Sequence, residues 1–189
     1  YFRKKYNLSE LSMFFFSERL KVLLVTDHIR LSKVATSITP ELITSKVKNV
    51  LKRFVFTQVA LSGINPHCGE EGLLGTEDTI VSTATQELKR LYPKVNITGP
   101  VAGDSLHRLQ APDHLLVYMY HDQGLSMFKS LAQGFSINCT LGLPFLRLSV
   151  DHGTALELFG KNMANYQSCL YGLTKAVEFH ENKTQFHQN

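Results

Sequence analysis

The chain has 189 residues, with 20 basic against 16 acidic side chains and a net charge of +4. Hydrophobic residues make up 43% and charged residues 19%, an ordinary globular balance that excludes intrinsic disorder. No apolar run reaches the roughly 20 residues needed to span a bilayer, so no membrane partner is expected. The basic pairs Lys4-Lys5, Lys46-Lys48 and Lys52-Arg53 are scattered, the last four reading as the solvated side of one helix. Nucleic-acid binding would require a concentrated patch, and none is present. Three cysteines, Cys68, Cys139 and Cys169, form an odd set without CxxC spacing, which argues against disulfides and fits a reducing cytoplasm. The first residue is Tyr1 rather than Met, and the expectation is a piece of a longer protein.

In chain order, Met13–Phe16 and Leu20–Val25 are apolar, β-favouring runs flanking Ser17-Glu18, which predicts two strands in a tight antiparallel connection. The second run is apolar on both parities, as expected of a strand covered on both faces, and it ends at Asp27-His28. Thr39-Pro40-Glu41 is a helix start, followed by Leu42, Ile43, Val47, Val50, Leu51 and Phe54 on one face. Val59–Ile64 predicts a strand leading into a Pro/Gly-rich loop. A helix over Thr76–Leu91 then turns Ile80, Val81, Ala84, Leu88 and Leu91 inward. Asn96–Thr98, Leu115–Tyr120, Ile137–Leu141 and Leu146–Val150 predict further strands, and Gly153–Phe159 opens the last helices. Alternating strands and helices predict a single α/β region over 1–189, largely parallel with an antiparallel element, and a mobile tail over 178–189.

In open α/β sheets, ligands sit beyond the carboxyl ends of the strands. Three predicted strands end in histidine, at His28, His67 and His121. Three neutral imidazoles with an open position suit a divalent Lewis-acid metal, with Asp27 and Asp122 as further ligand or supporting partner. The competing reading is loop histidines bonded to backbone or water. His107, His114, His180 and His187 read as surface residues in helical or tail contexts, and His152 as either a helix-capping or a ligand-binding group. Gly69, Gly72 and Gly75 precede a helix start whose amides could receive a phosphate, but the pattern is neither GxGxxG nor a Walker sequence and turn-making is the stronger reading. Lys129 and Arg147 could grip oxyanions or simply be surface charges, and Asn138 is a polar strand residue that needs a partner.

Four stretches carry a resemblance. They are Gly63–Glu70 (Gly-Ile-Asn-Pro-His-Cys-Gly-Glu), Tyr120–Leu125 (Tyr-His-Asp-Gln-Gly-Leu), Asn138–Phe145 (Asn-Cys-Thr-Leu-Gly-Leu-Pro-Phe) and Ser149–Leu158 (Ser-Val-Asp-His-Gly-Thr-Ala-Leu-Glu-Leu). From about Tyr1 to Val177 the chain resembles the 4-hydroxythreonine-4-phosphate dehydrogenase family of pyridoxal phosphate biosynthesis. The resemblance implies an α/β/α sheet like that of isocitrate and isopropylmalate dehydrogenases, with the N-terminal part of the family fold missing. It implies His28, His67 and His121 as metal ligands, and Lys129, Asn138 and Arg147 as substrate-binding residues. The metal would be divalent, with zinc best suited to imidazoles and magnesium, manganese or cobalt open.

The implied reaction oxidises the C3 hydroxyl of 4-phosphohydroxy-L-threonine with NAD or NADP. The 3-oxo acid then loses carbon dioxide to give 3-amino-2-oxopropyl phosphate. A homodimer with its active site at the interface is implied, with metal ligands drawn from both chains. Asp104 is the candidate polar group near metal or cofactor, Asp104 and Lys129 are the catalytic candidates, and the His67–Gly75 loop is the expected cofactor wall. Family chains also carry an upstream Gly-His-Thr-Glu segment that this sequence lacks, and residues 161–168 depart from the family's Gly/Asp-rich version. The alternatives are a truncated metal-binding fragment without turnover and a related metal-dependent hydroxy-acid dehydrogenase.

Overall fold

The computed structural model describes residues 1–132 and 134–181. Its centre is a seven-stranded sheet of β1 (Ser12–Phe16), β2 (Lys21–Leu24), β3 (Gln58–Ser62), β4 (Asn96–Val101), β5 (His114–Tyr118), β6 (Ile137–Leu141) and β7 (Arg147–Val150). The spatial order is β4-β3-β5-β2-β1-β6-β7. β2, β3, β4 and β5 are mutually parallel, whereas β1, β6 and β7 join by antiparallel pairing. The helices are α1 (Phe2–Lys5), α2 (Val34–Ser37), α3 (Pro40–Leu51), α4 (Asp78–Leu91), α5 (His121–Ala132) and α6 (Gln167–Glu181). The α/β class and the mixed sheet agree with the expectation from sequence.

The two-sided core follows from the strand period of two. Leu23 of β2, Val25 just past its end, and Leu115 and Val117 of β5 enter a cluster with Ile43 and Val47 of α3 and Val81 and Leu88 of α4. Their alternates Val22, Leu24, Leu116 and Tyr118 enter a second cluster with Leu125 and Phe128 of α5. Both parities are therefore buried, as a parallel strand between two helical layers requires. The β1–β2 connection is the expected tight turn, in which Ser17 donates its backbone N–H to Leu20 O at 2.9 Å. At the start of α3, Thr39 Oγ1 accepts from Leu42 N at 3.2 Å, with Pro40 in the first turn.

Several sequence expectations are corrected. Lys46 is only 5% exposed: its ammonium bonds the Leu11 carbonyl and pairs with Glu10 at 3.1 Å, because β1 begins against that face of α3. Leu91 closes α4 and is 38% exposed. His114 opens β5 rather than lying in a helix or tail. His121 begins a twelve-residue helix, α5, which the loop-like Gly124 conceals. A Cβ at Gly124 would stand 3.0 Å from the Tyr118 side chain, so glycine there permits close helix–strand contact. After β7, Leu156–Leu158 is a single 3-10 turn and the helix proper begins only at Gln167. Residues 178–181 continue α6, while 182–189, including His187, lie outside the described residues.

Candidate functional site

The carboxyl ends of β2, β3, β4 and β5 share one edge of the sheet, since the four strands are parallel. The β2–β5 pairing continues past the strands through Val25 N to Tyr118 O at 2.9 Å and Thr26 N to Met119 O at 3.1 Å. Thr26 Oγ1 also donates to Met119 O at 2.7 Å. This extension delivers His28 and His121 side by side, with ring centroids 5.1 Å apart. His121 Nδ1 lies 2.7 Å from Asp122 Oδ1, which leaves Nε2 as the ring nitrogen without that carboxylate.

His67 belongs to a neighbouring group. Its Nδ1 lies 2.9 Å from Glu70 Oε1, and that hydrogen bond, then the charges of Glu70 and Asp104, raise the imidazole pKa. Five successive residues from His67 to Glu71 have φ between 46° and 81°. A left-handed run costs L-residues about 1–2 kcal/mol each, so the surrounding contacts must impose it.

Asp78 anchors the chain just before that run. Its carboxylate is 6% exposed and accepts from Ile64 N at 2.7 Å, Asn65 N at 3.2 Å and Asn65 Nδ2 at 3.1 Å. A Cβ at Gly63 would meet Asp78 Oδ1 at 2.6 Å, and one at Gly69 would meet the Gly75 carbonyl oxygen at 2.6 Å. Gly69, Gly72 and Gly75 all have positive φ, so each makes a turn whether or not it also walls a cofactor. Burial, reinforced by the Asp78 charge, pushes the Cys68 thiol pKa up and keeps it protonated. Sequence reasoning passed over Asp78. Its signal was an acid in the first turn of a helix that follows a glycine-rich loop.

Lys129, Asn138 and Arg147 are placed by different elements. Asn138 and Thr140 alternate with the buried Ile137, Cys139 and Leu141 on β6, and Thr140 lies directly across from Arg147 of β7. Directly opposed residues of an antiparallel pair point to the same face. Asn138 is likewise opposed to Phe15, whose ring lies 5.6 Å from that of Phe128 on α5. Asn138 and Arg147 therefore occupy the side of the sheet covered by α5, the helix that carries exposed Lys129. Arg147 Nη1 donates to Thr140 Oγ1 at 2.9 Å, and its guanidinium lies 5.4 Å from the centroid of the Phe2 ring. The Asn138 Oδ1 is buried without a hydrogen-bond partner. No bond among the described residues joins this trio to the histidines. Nor do three or more His, Cys, Asp or Glu side chains converge there as a ready metal cage.

His152 is exposed, with Nδ1 2.9 Å from the Gly153 carbonyl. Its neighbour Asp151 instead accepts from Ser168 Oγ at 3.0 Å and from Ser136, tying the post-β7 segment to the beginning of α6.

Comparison with known proteins bears on the family and the fold. The family described as pyridoxal phosphate biosynthetic protein PdxA matches residues 1–176. The 4-hydroxythreonine-4-phosphate dehydrogenase of Colwellia psychrerythraea is 39% identical over 193 residues, covering 97% of this chain and 58% of that protein. Its counterpart from Shewanella frigidimarina is 41% identical over 189 residues, covering 94% of this chain and 57% of that protein. The crystal structure of the Klebsiella pneumoniae 4-hydroxythreonine-4-phosphate dehydrogenase superimposes with a TM-score of 0.78 at 30% identity, covering 94% of this chain and 56% of that one. The chain thus spans somewhat under three fifths of the length of the relatives it matches. By family match, sequence identity and fold together, it belongs to the pyridoxal phosphate biosynthetic protein PdxA family.

Proposed function

We propose that this chain supplies the metal- and substrate-binding part of a dehydrogenase that oxidises 4-phosphohydroxy-L-threonine in pyridoxal phosphate biosynthesis. The observation that carries the reading is the strand-end pair His28–His121, centroids 5.1 Å apart, beside a His67 whose Nδ1 is likewise held by a carboxylate. An imidazole that gives Nδ1–H to a carboxylate presents a fixed, more basic Nε2, the form that ligates a divalent metal. The donor set therefore fits zinc, with magnesium, manganese or cobalt as alternatives. When bound, such a metal supplies Lewis acidity at the substrate hydroxyl, and NAD or NADP supplies the hydride acceptor.

The chain's own residues have distinct tasks in this reading. His28, His67 and His121 hold the metal. Lys129 and Arg147 offset the phosphate and carboxylate charges of the substrate, Arg147 having its fork oriented by Thr140. Asn138 has an unpartnered Oδ1 that can accept from a substrate donor. Asp104, close to His67, is the candidate for moving the hydroxyl proton, and the His67–Gly75 loop is the cofactor wall. The family resemblance adds a homodimer that draws metal ligands from both copies to this reading. A proton competes with metal at His67, since Glu70 raises its pKa, so metal affinity should fall as pH drops.

The test is reduction of NAD or NADP with 4-phosphohydroxy-L-threonine and zinc, measured for this chain and for a chain completed to the length of its relatives. His28→Ala, His67→Ala and His121→Ala should each strip metal and abolish turnover of the completed enzyme. Unchanged metal content and rate in all three variants would sink the proposal.

A further inference from the structure

The β3–β5 ladder ends at the pair Leu61–Val117, short of the His67 loop and of His121 at the start of α5. Beyond it one side chain takes over the connection. Gln123 Oε1 accepts from Met119 N at 2.8 Å and from Ser62 Oγ at 3.0 Å, while Nε2 donates to the Gly63 carbonyl at 2.9 Å. A backbone N–H can only donate and a carbonyl can only accept, so the amide has a single workable orientation. The Asp104 loop approaches the same group: a Cβ on Gly103 would stand 2.8 Å from Gln123 Nε2. Gly103 lies outside the positive-φ set, so backbone conformation does not demand glycine there, whereas closeness to Gln123 does.

We propose that Gln123 is a positioning residue that fixes the mutual spacing of His121, at the start of α5, and the loops carrying His67 and Asp104. Resting on the metal-dependent reading above, it assigns to Gln123 the role of a side-chain rung where the backbone ladder stops. The residue type follows from the geometry. Glutamate keeps the acceptors and loses the donor to Gly63, asparagine is one methylene too short, and leucine offers neither function. His121 lies two residues before Gln123, His67 four after Gly63, and Asp104 one after Gly103. A displacement of the amide is therefore passed to all three residues.

The experiment uses the whole chain with isotope-labelled histidine, and reads imidazole resonances in the metal-free protein alongside zinc affinity by chelator competition. Gln123→Leu removes the rung. Gly103→Ala pushes on the same amide while leaving every polar group in place, and it serves if the leucine variant does not fold. Both should shift the His67 and His121 resonances and leave His114 and His180 in place. Zinc affinity should fall about tenfold or more, the usual cost of losing a group that orients metal ligands. The double variant should move the resonances no further than Gln123→Leu alone, as expected of two changes acting through one group. Movement of His121 without His67, additive shifts in the double variant, or unchanged zinc affinity despite moved resonances would each overturn the proposal. If the unaltered chain takes up no zinc, the metal reading fails, and the imidazole resonances alone decide whether Gln123 sets the spacing.

Discussion

The parallel half of the sheet and its antiparallel flank solve different problems with the same backbone. In β2 and β5 nearly every side chain is sealed, with Val22, Leu23, Leu115, Leu116 and Val117 at 0% exposure. These strands contribute nothing directly to a ligand. They act by holding the segments at their carboxyl ends, where His28 follows β2 and His121 follows β5, beside His67 after β3 and Asp104 after β4. In β7 all four residues from Arg147 to Val150 are only half-buried, and Asn138 and Arg147 project from the strands themselves. In the proposed function, one region would offer its chemistry from segments on a rigid frame, and the other from the face of the frame. The segments can be adjusted without disturbing the core, whereas the flank must accept polar atoms such as the Asn138 Oδ1 within the sheet.

The sharpest way to break this contrast is paired truncation. Leu23→Ala in β2 should cost about 2–5 kcal/mol in chemical denaturation, because a fully buried leucine leaves both a transfer loss and a cavity. Leu148→Ala in half-buried β7 should fall at or below the bottom of that range. Equal costs would mean that the flank is as tightly packed as the parallel half.

A smaller effect, confined to the loops, is expected of Asp78→Ala. It strips the acceptors for Ile64 N, Asn65 N and Asn65 Nδ2 and should cost about 1.5–3 kcal/mol, the scale of one hydrogen bond to a charged group. Hydrogen exchange should rise first across 63–71, with the β2 and β5 amides still protected. Uniform loss of protection would show that the loop is not a separate unit.

The smallest effect is the pH response at the amino ends of β3 and β5, opposite the histidines. Thr57 Oγ1 donates to Asp113 Oδ2 at 2.6 Å, and this bond, helped by a backbone bond, depresses the Asp113 pKa. A depressed carboxylate stabilises the fold above its unfolded pKa of about 3.9, and that share is lost as pH falls through the lower folded value. Thr57→Val should flatten only this acid limb of the stability profile. A change of slope near neutrality would contradict the assignment.

Much of the fold could be read from sequence because its signals are local. The both-parity run Leu20–Val25, the Thr39-Pro40 start and the strand-end histidines each depend on neighbours a few residues away. What was hidden depends on distant partners. Lys46 reads as a surface cation until Leu11 and Glu10 arrive from 35 and 36 residues earlier in the chain. Asp78 and Gln123 look like ordinary polar residues of helix beginnings, and their roles arise from contacts with Ile64, Ser62 and Gly63. Gly124 concealed α5 because its justification is the Tyr118 ring, on a different element. Within the site, the histidines could be listed from sequence, whereas their division into a pair and a separate His67 group required the loop geometry.

The buried lysines have a practical consequence. Lys21, Lys46 and Lys175 are 6%, 5% and 8% exposed, and their ammonium groups are bonded to the Glu18 carbonyl, to Leu11 and Glu10, and to Glu18 and Glu178. Lys21 closes the β1–β2 turn on itself, Lys46 ties α3 to the entry of β1, and Lys175 ties α6 to the turn. An amine-directed reagent should reach Lys129 and the other surface lysines quickly and these three only when the hairpin opens. Their labelling rate is thus a built-in clock for the integrity of the junction between the parallel and antiparallel halves.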